Sequence, residues 1–212
     1  MKRSIVLKHL QELEVVADGR TCHGFDQEWY SKLWQRRAGC GPTTASALVR
    51  YNRKRNKSGT KTASVALMEE LWSFVTPGIM GVHTVAHFTR GLKEYLAKKG
   101  LEFEIAALPV PIDRADRPSF AQVREFLISR LAADQPVAFL NLNNGEVVNL
   151  EPWHWVTIVG IEEREADGPL LAHVYDEGRK HLVDLTRWYE TTTRPGGFVS
   201  LVEGDESGKE PR

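Results

Sequence analysis

The hydrophobic pattern of this chain changes its period along the sequence, and that change restricts the folds that the chain can adopt. Between residues 63 and 75 the apolar side chains recur at helical spacing, and residues 83–98 repeat this spacing before Gly100, a residue suited to end a helix. From residue 136 onward the apolar runs are short and bounded by turn residues, which is typical of strands. Helices followed by strands predict an α+β fold with an antiparallel sheet.

Helices are predicted at 27–36, 43–52, 63–75, 83–98 and 119–133. Strands are predicted at 101–108, 136–142, 153–161, 170–176, 180–184 and 197–202. Ser119 is a candidate N-cap for the last of these helices. We predict a single domain over residues 1–202, with a helical half at about 25–133 and a sheet half at about 134–202. A polar, disordered tail is expected at 203–212.

The composition excludes several classes of protein. The chain has 212 residues with 28 basic and 28 acidic side chains, and this balance predicts neither a nucleic-acid nor a membrane partner. No apolar run approaches the roughly 18 residues of a transmembrane helix, and the run at 5–7 ends at Lys8, too early for a signal peptide. Two cysteines do not make a disulfide framework, so we expect a cytoplasmic protein with reduced thiols.

One of the two cysteines, Cys40, lies where a glycine-rich turn enters a predicted helix. Gly39 and Gly41 allow the backbone to turn and another molecule to approach, and Pro42 suits the first turn of a helix. A helix N-terminus presents free N–H groups and a partial positive charge, which favour thiolate over thiol and can stabilise an oxyanion. Cys40 is therefore a candidate nucleophile; the alternative is a buried, unreactive cysteine in a tight turn.

A nucleophilic cysteine needs a general base, and His154 lies at the start of the apolar strand 153–161. The next predicted strand, 170–176, can pair with it in a hairpin whose midpoint is Glu165. In that register His154 lies directly opposite Asp176, on the same face of the sheet. A carboxylate there would fix the tautomer of the imidazole and stabilise its charged form. The alternatives for this orienting role are Asn141, Asn143 and Asp184.

Gln35 is the candidate donor for an oxyanion. It precedes Cys40 by five residues, and its side-chain amide could reach a carbonyl group held at the helix N-terminus. The alternative is an ordinary polar residue at a helix end.

Two other features carry weaker hypotheses. His83 and His87 lie four residues apart on a predicted helix, a spacing that can bind a metal, and Cys22–His23 could complete such a site. The glutamate of a zincin motif is missing between the two histidines, so we favour a surface pair and predict no metal and no cofactor. The basic segment 50–61 is predicted to be a solvated loop, with an acidic partner as the alternative.

Four of these features together resemble the papain-like cysteine peptidases. They are Gln35, the GCGPT of 39–43, the HWVTIVG of 154–160 and the later Asp176. The segment 81–100 is similar to the corresponding helix of the double-glycine, or bacteriocin-leader, branch of that family. The resemblance covers roughly residues 30–190. The spacing from Gln35 to Cys40 is one residue shorter than in the family, the loop 162–169 is longer, and no transporter segment is present.

The resemblance implies a papain-like fold in which the nucleophile helix packs on a C-terminal antiparallel sheet. It implies that Cys40 is the nucleophile, His154 the base, Asp176 the orienting carboxylate and Gln35 the oxyanion donor. The implied activity is hydrolysis of a peptide or amide bond through a thioester, with a peptide, a protein or another acyl compound as substrate. The alternatives are an acyltransferase or transamidase that uses the same triad, and an inactive binding protein on this fold.

Overall fold

The computed structural model describes residues 3–53, 59–165 and 168–203. The predicted tail, apart from Glu203, lies outside the described residues, as do residues 54–58 of the basic segment.

The helices are α1 (Leu33–Ala38), α2 (Cys40–Asn52), α3 (Lys61–Trp72), α4 (Val85–Lys99), α5 (Phe120–Ala132) and α6 (Leu185–Thr191). The first strands are β1 (Arg3–Val6), β2 (Glu14–Ala17), β3 (Arg20–His23), β4 (Gly59–Thr60) and β5 (Phe103–Val110). The later strands are β6 (Val137–Asn141), β7 (His154–Glu163), β8 (Leu170–Asp176), β9 (Arg179–Asp184) and β10 (Gly196–Glu203). None of the described helices is long and apolar enough to cross a membrane.

In the described part of the chain, seven strands form the main sheet. Six of them follow the order β5-β10-β6-β7-β8-β9, and all seven pair antiparallel. The seventh strand, β1, pairs with the second half of β7, whereas β6 pairs with its first half. A smaller sheet has the order β3-β2-β4. The α+β prediction is therefore confirmed, and β7, which carries His154, is held on both of its edges.

Helices cover both faces of the main sheet, because alternate residues of its strands enter two separate cores. On one face α2 and α4 pack against Ala138 and Leu140 of β6. Trp155 lies in this core, where its ring stacks on Phe88 with centroids 4.1 Å apart and its Nε1 donates to the carbonyl of Val82. On the other face α5 and α6 pack against the core that contains Phe139. This arrangement holds α2 against the strand that begins at His154.

Local sequence signals located most elements correctly. The structure confirms the helices predicted at 43–52, 63–75, 83–98 and 119–133 and all six predicted strands, within a few residues at each end. Ser119 accepts a hydrogen bond from the main chain of Gln122, whose side chain bonds back to it, so α5 starts with a capping box. Gly100 ends α4 with a φ of +61°, a backbone conformation that suits glycine.

The prediction of one helix over 27–36 is wrong. This segment forms a 3₁₀ turn at Gln27–Trp29 and then an extended link before α1. The helix breaks because the buried Tyr30 is extended and its hydroxyl donates to the carbonyl of Met68. Leu33 and Trp34 are exposed instead of entering the core. The sequence analysis also missed β1, β2, β3, β4 and α6.

Candidate active site

Cys40 is the first residue of α2, and Gly39 is its N-cap. A Cβ at Gly39 would lie 2.7 Å from the ring of Tyr30, and one at Gly41 would lie 2.8 Å from the side chain of Val82. Because the φ of Gly39 is −84°, the glycines serve close packing and not an unusual backbone conformation. The packing on both sides fixes Cys40 at the helix N-terminus, where the sequence analysis predicted it.

A hydrogen bond joins α2 directly to the strand of His154. The hydroxyl of Thr44 donates to the carbonyl of Trp155, with 3.1 Å between the two oxygens. The first half of α2 carries mostly small side chains and is buried, so the helix axis can lie close to the sheet. These contacts place the N-terminus of α2 beside the first residue of β7.

His154 and Asp176 form a close polar pair. The distance between His154 Nε2 and Asp176 Oδ1 is 2.8 Å, and His154 is only 6% exposed. Asp176 ends β8 immediately before the turn Glu177–Gly178, in which both residues have a positive φ, as a two-residue type I′ hairpin turn requires. The tight turn and the two long strands hold the carboxylate at the buried imidazole.

The contact arises in a different register from the one predicted. Thr157 pairs with Tyr175, so Asp176 lies opposite Val156 and not opposite His154. The prediction of direct pairing is therefore wrong by two positions. Next to the loop, where Glu163 pairs with Leu170, the register differs by three, and a bulge between Ile158 and Gly160 takes one position back. A shift of two keeps a side chain on the same face of a sheet, whereas a shift of one reverses it. His154 and Asp176 consequently meet as diagonal neighbours.

The pKa of His154 lies well above its usual value of 6.5. Burial favours the neutral imidazole and by itself would lower this pKa, but the hydrogen bonds to Asp176 and to Cys40 outweigh it. Since Nε2 is on Asp176, Nδ1 is the nitrogen left for Cys40. The geometry thus favours a charged imidazolium between the carboxylate and the sulfur.

The other residues considered for the orienting role have different partners. Asn141 pairs with His154 across β6 and β7, but its amide donates to the carbonyl of Glu151. Asn143 accepts from main-chain N–H groups, including that of Thr193. Asp184 is the N-cap of α6. In the described structure, Asp176 is the candidate that contacts the histidine ring.

Gln35 is not directed into the crevice that Cys40 and His154 line. It is buried in α1, and its Nε2 donates to Oε2 of Glu69 on α3 over 2.6 Å. Its role as oxyanion donor stays a prediction, and its observed hydrogen bond does not favour it. The structure thus brings together Cys40, His154 and Asp176 and places Gln35 in a separate contact.

A narrow polar crevice, with room for about one water molecule (about 10 Å³), connects these three residues. Gln27 and Glu177 also line it, and the sequence analysis missed both. Burial raises the pKa of Glu177, and the neighbouring Asp176 raises it further. No local pattern marks Gln27, because the segment 27–36 was predicted as one helix and the 3₁₀ turn that carries Gln27 follows strands that were not predicted.

On its other side Cys40 borders an open apolar groove of about 200 Å³. Trp34 is 50% exposed there, Ile79 is 95% exposed and Met80 is 52% exposed. Trp153 completes the wall: its Nε1 donates to the carbonyl of Met80, and its φ of +63° turns the chain just before His154. Among the residues that the structure describes, Cys40 is the one that lines both the polar crevice and the apolar groove.

The described residues contain no group of three or more histidine, cysteine, aspartate or glutamate side chains placed to hold a metal ion. The two histidines considered for such a site do not share a helix face. His83 precedes α4, whose N-cap is Thr84, and only His87 lies within the helix.

The chain is similar to a solved structure, although no family model and no curated protein sequence matches it. The crystal structure of UfSP from C. elegans superposes with a TM-score of 0.55 at 11% identity, over 95% of this chain and 34% of that chain. This chain therefore spans about a third of the UfSP chain. UfSP has a papain-like cysteine protease fold, and the fold predicted for the present chain is confirmed. At this identity the likeness shows the fold alone.

Proposed function

We propose that this protein is a cysteine-dependent hydrolase that cleaves a peptide or amide bond. Cys40 is the nucleophile, His154 is the general base and acid, and Asp176 orients His154. One observation carries the proposal: a buried histidine lies between a carboxylate 2.8 Å away and the cysteine that begins a helix. The papain-like fold supports it. The double-glycine branch stays a prediction that rests on the resemblance of residues 81–100.

In the first half of the reaction, the Cys40 thiolate attacks the carbonyl carbon and the carbonyl electron pair moves to the oxygen. Main-chain N–H groups in the first turn of α2 stabilise this oxyanion, together with the positive end of the helix. His154 then donates its Nδ1 proton to the leaving nitrogen, and the C–N bond breaks. Asp176 accepts from Nε2 throughout, which stabilises the imidazolium that precedes this transfer.

In the second half, water attacks the thioester that the first half leaves on Cys40. His154 takes a proton from this water, the C–S bond breaks, and the sulfur leaves as the thiolate. The carboxylic acid product departs, and the ion pair between Cys40 and His154 is restored. An amine in place of water would make the same residues an acyltransferase, so the product mixture separates the two activities.

The apolar groove is the proposed binding site for a side chain of the substrate. Trp34, Ile79, Met80 and Trp153 line this groove together with Cys40, and Arg37 adds one basic residue to the lining. An apolar side chain that leaves water to contact this wall contributes about 1.5–3 kcal/mol when fully buried. The guanidinium of Arg194 lies over the Trp153 ring, 5.6 Å from its centroid. We infer that the substrate carries a bulky apolar residue near the scissile bond.

A panel of fluorogenic peptide amides tests this proposal. We expect the protein to release the fluorophore faster when the residue at the scissile bond or next to it is leucine or phenylalanine than when both are glycine. Met80→Ser should lower kcat/KM about tenfold for the bulky substrates and little for glycine, since one apolar contact contributes roughly 1–2 kcal/mol. Ile112→Ser, which changes an exposed apolar residue outside the groove, is the matched control.

Two results would count against the proposal. If no amide in the panel is turned over, the hydrolase assignment fails. If turnover occurs but Met80→Ser and Ile112→Ser change every substrate equally, the groove does not select the side chain.

A further inference from the structure

The apolar groove beside Cys40 is bordered by positive charge. Arg37 lies in α1, is exposed, and is the one charged residue in the described lining of the groove. Arg194 is also exposed, and its guanidinium lies over the ring of Trp153, which belongs to the same lining. Two arginines therefore border one apolar surface next to the candidate nucleophile.

The protein itself does not neutralise these two arginines. Among the described residues, no carboxylate forms an ion pair with Arg37 or Arg194. The neighbouring Arg36, by contrast, pairs with Glu28, with 4.0 Å between Nε and Oε2. A guanidinium presents its N–H donors in a plane that matches the two oxygens of a carboxylate. Both side chains are thus available to an acidic group on a bound molecule.

The other side of the nucleophile carries negative charge. Asp176 and Glu177 line the polar crevice. Burial raises the pKa of Glu177, and so do the nearby carboxylates of Asp176 and Glu151. The imidazolium of His154 offsets one of these three carboxylates. Because complementary charge mainly orients a ligand on a protein surface, an acidic group of the substrate is directed away from the crevice and toward the groove.

We propose that Arg37 and Arg194 bind a carboxylate of the substrate next to its bulky apolar residue, so that the protein prefers acidic peptides. This inference rests on the proposed function and adds the charge of the substrate to it. An exposed ion pair contributes modestly, so two of them should produce a preference of about threefold to tenfold. Added salt should reduce this preference, because it screens exposed charges.

Iodoacetyl peptides test this inference without requiring turnover, because the sulfur of Cys40 bonds to their methylene carbon while iodide leaves. The first pair of reagents is iodoacetyl-Leu-Asp and iodoacetyl-Leu-Asn, both with an amidated C-terminus. The second pair is iodoacetyl-Leu-Gly with a free or an amidated C-terminus. Peptide mass spectrometry of the whole chain gives the rates at Cys40 at low salt. We expect the acidic reagent to react about threefold to tenfold faster than its neutral partner, in the first pair if a side-chain carboxylate is bound and in the second if a C-terminal carboxylate is bound.

Substitutions assign the preference to the two arginines. We expect it to disappear when Arg37→Gln and Arg194→Gln are combined, and to persist in part when both residues become lysine, because the charge remains. The matched control combines Arg90→Gln and Lys93→Gln, which remove two exposed positive charges from α4, outside the groove. This control should keep the preference.

Equal rates for the acidic and neutral reagents in both pairs overturn the inference. A preference that survives in the double glutamine variant, or that disappears to the same extent in the control, also overturns it, because the two arginines are then not its source. Failure of the proposed function appears separately, as a Cys40 that reacts with all four reagents no faster than an ordinary thiol.

Discussion

Cys40→Ala is expected to reduce hydrolysis of the best amide substrate on the order of 10⁵-fold, to the level that binding alone supports. The first turn of α2 and the His154–Asp176 pair remain in this variant, but no atom is left to form the thioester. Steady-state release of the fluorophore measures the loss. Intact-mass analysis should also show an acyl adduct on the wild-type protein after a substrate pulse and none on Cys40→Ala.

Cys22→Ala is the matched control for this prediction. Cys22 lies in β3, outside the crevice, and is the other free cysteine of the chain. We expect this variant to keep most of its activity and to form the same adduct. If Cys40→Ala retains more than about a hundredth of the wild-type rate while folded, the nucleophile has been assigned to the wrong residue.

His154→Ala is expected to lower kcat/KM for amides on the order of 10³-fold, the middle of the range that one general acid–base group contributes. Two steps lose their catalyst, because no group remains to protonate the leaving nitrogen or to accept a proton from water. Esters, whose leaving groups need less help from a proton, should lose less. The amide and ester rates, measured on the same acyl group, report this difference.

His181→Ala provides the comparison for this second variant. His181 lies in β9 and does not line the crevice, so we expect little change in either rate. Circular dichroism shows whether both variants fold, which matters because removal of His154 leaves Asp176 without its buried partner. Folded His154→Ala protein with nearly normal amide turnover would exclude His154 as the general acid.

Local signals in the sequence were enough to predict most of the fold. The helix α4 shows why: an apolar face recurs at helical spacing, and Gly100 ends it. Strands β6, β7 and β8 are equally easy to predict from the sequence, because their apolar runs are buried and bounded by turns. By contrast, β1 is mostly exposed and is stabilised by pairing with the distant β7, so no local pattern identifies it.

For the candidate site, the sequence could predict only the residue types and the face of the sheet on which each strand residue lies. Cys40 was predicted from a glycine-rich turn before a helix, and His154 from a polar residue at the start of an apolar strand. Both residues lie where they were predicted, at the first positions of α2 and β7. Asp176 contacts His154 despite a wrong register, because the bulge between Ile158 and Gly160, which the sequence analysis did not predict, makes the final shift even and so preserves the face. The positions of the Gln35 and Gln27 side chains could not be predicted. Tertiary packing determines their surroundings, such as the contact of Gln35 with Glu69.

The apolar groove beside Cys40 could not be predicted for the same reason, because tertiary packing forms it. Aromatic side chains are usually buried, so composition alone does not place Trp34 on the surface. The extended link before α1 turns it outward, toward Met80 and Trp153. An exposed apolar wall beside the candidate nucleophile is therefore a feature that only the folded chain reveals, and such exposed apolar patches are typical of interaction sites.

The measurement that tests the central claim most directly is the rate at which iodoacetamide alkylates Cys40 between pH 4 and pH 9, in the wild type and in His154→Ala. An ordinary thiol has a pKa of about 8.5 and reacts slowly below pH 7. Because the raised pKa of His154 keeps its imidazolium beside the sulfur, we predict rapid alkylation of wild-type Cys40 at pH 5–7 and its loss in the variant. Equal profiles in both proteins, each rising only near pH 8.5, would contradict the paired thiolate and the mechanism built on it.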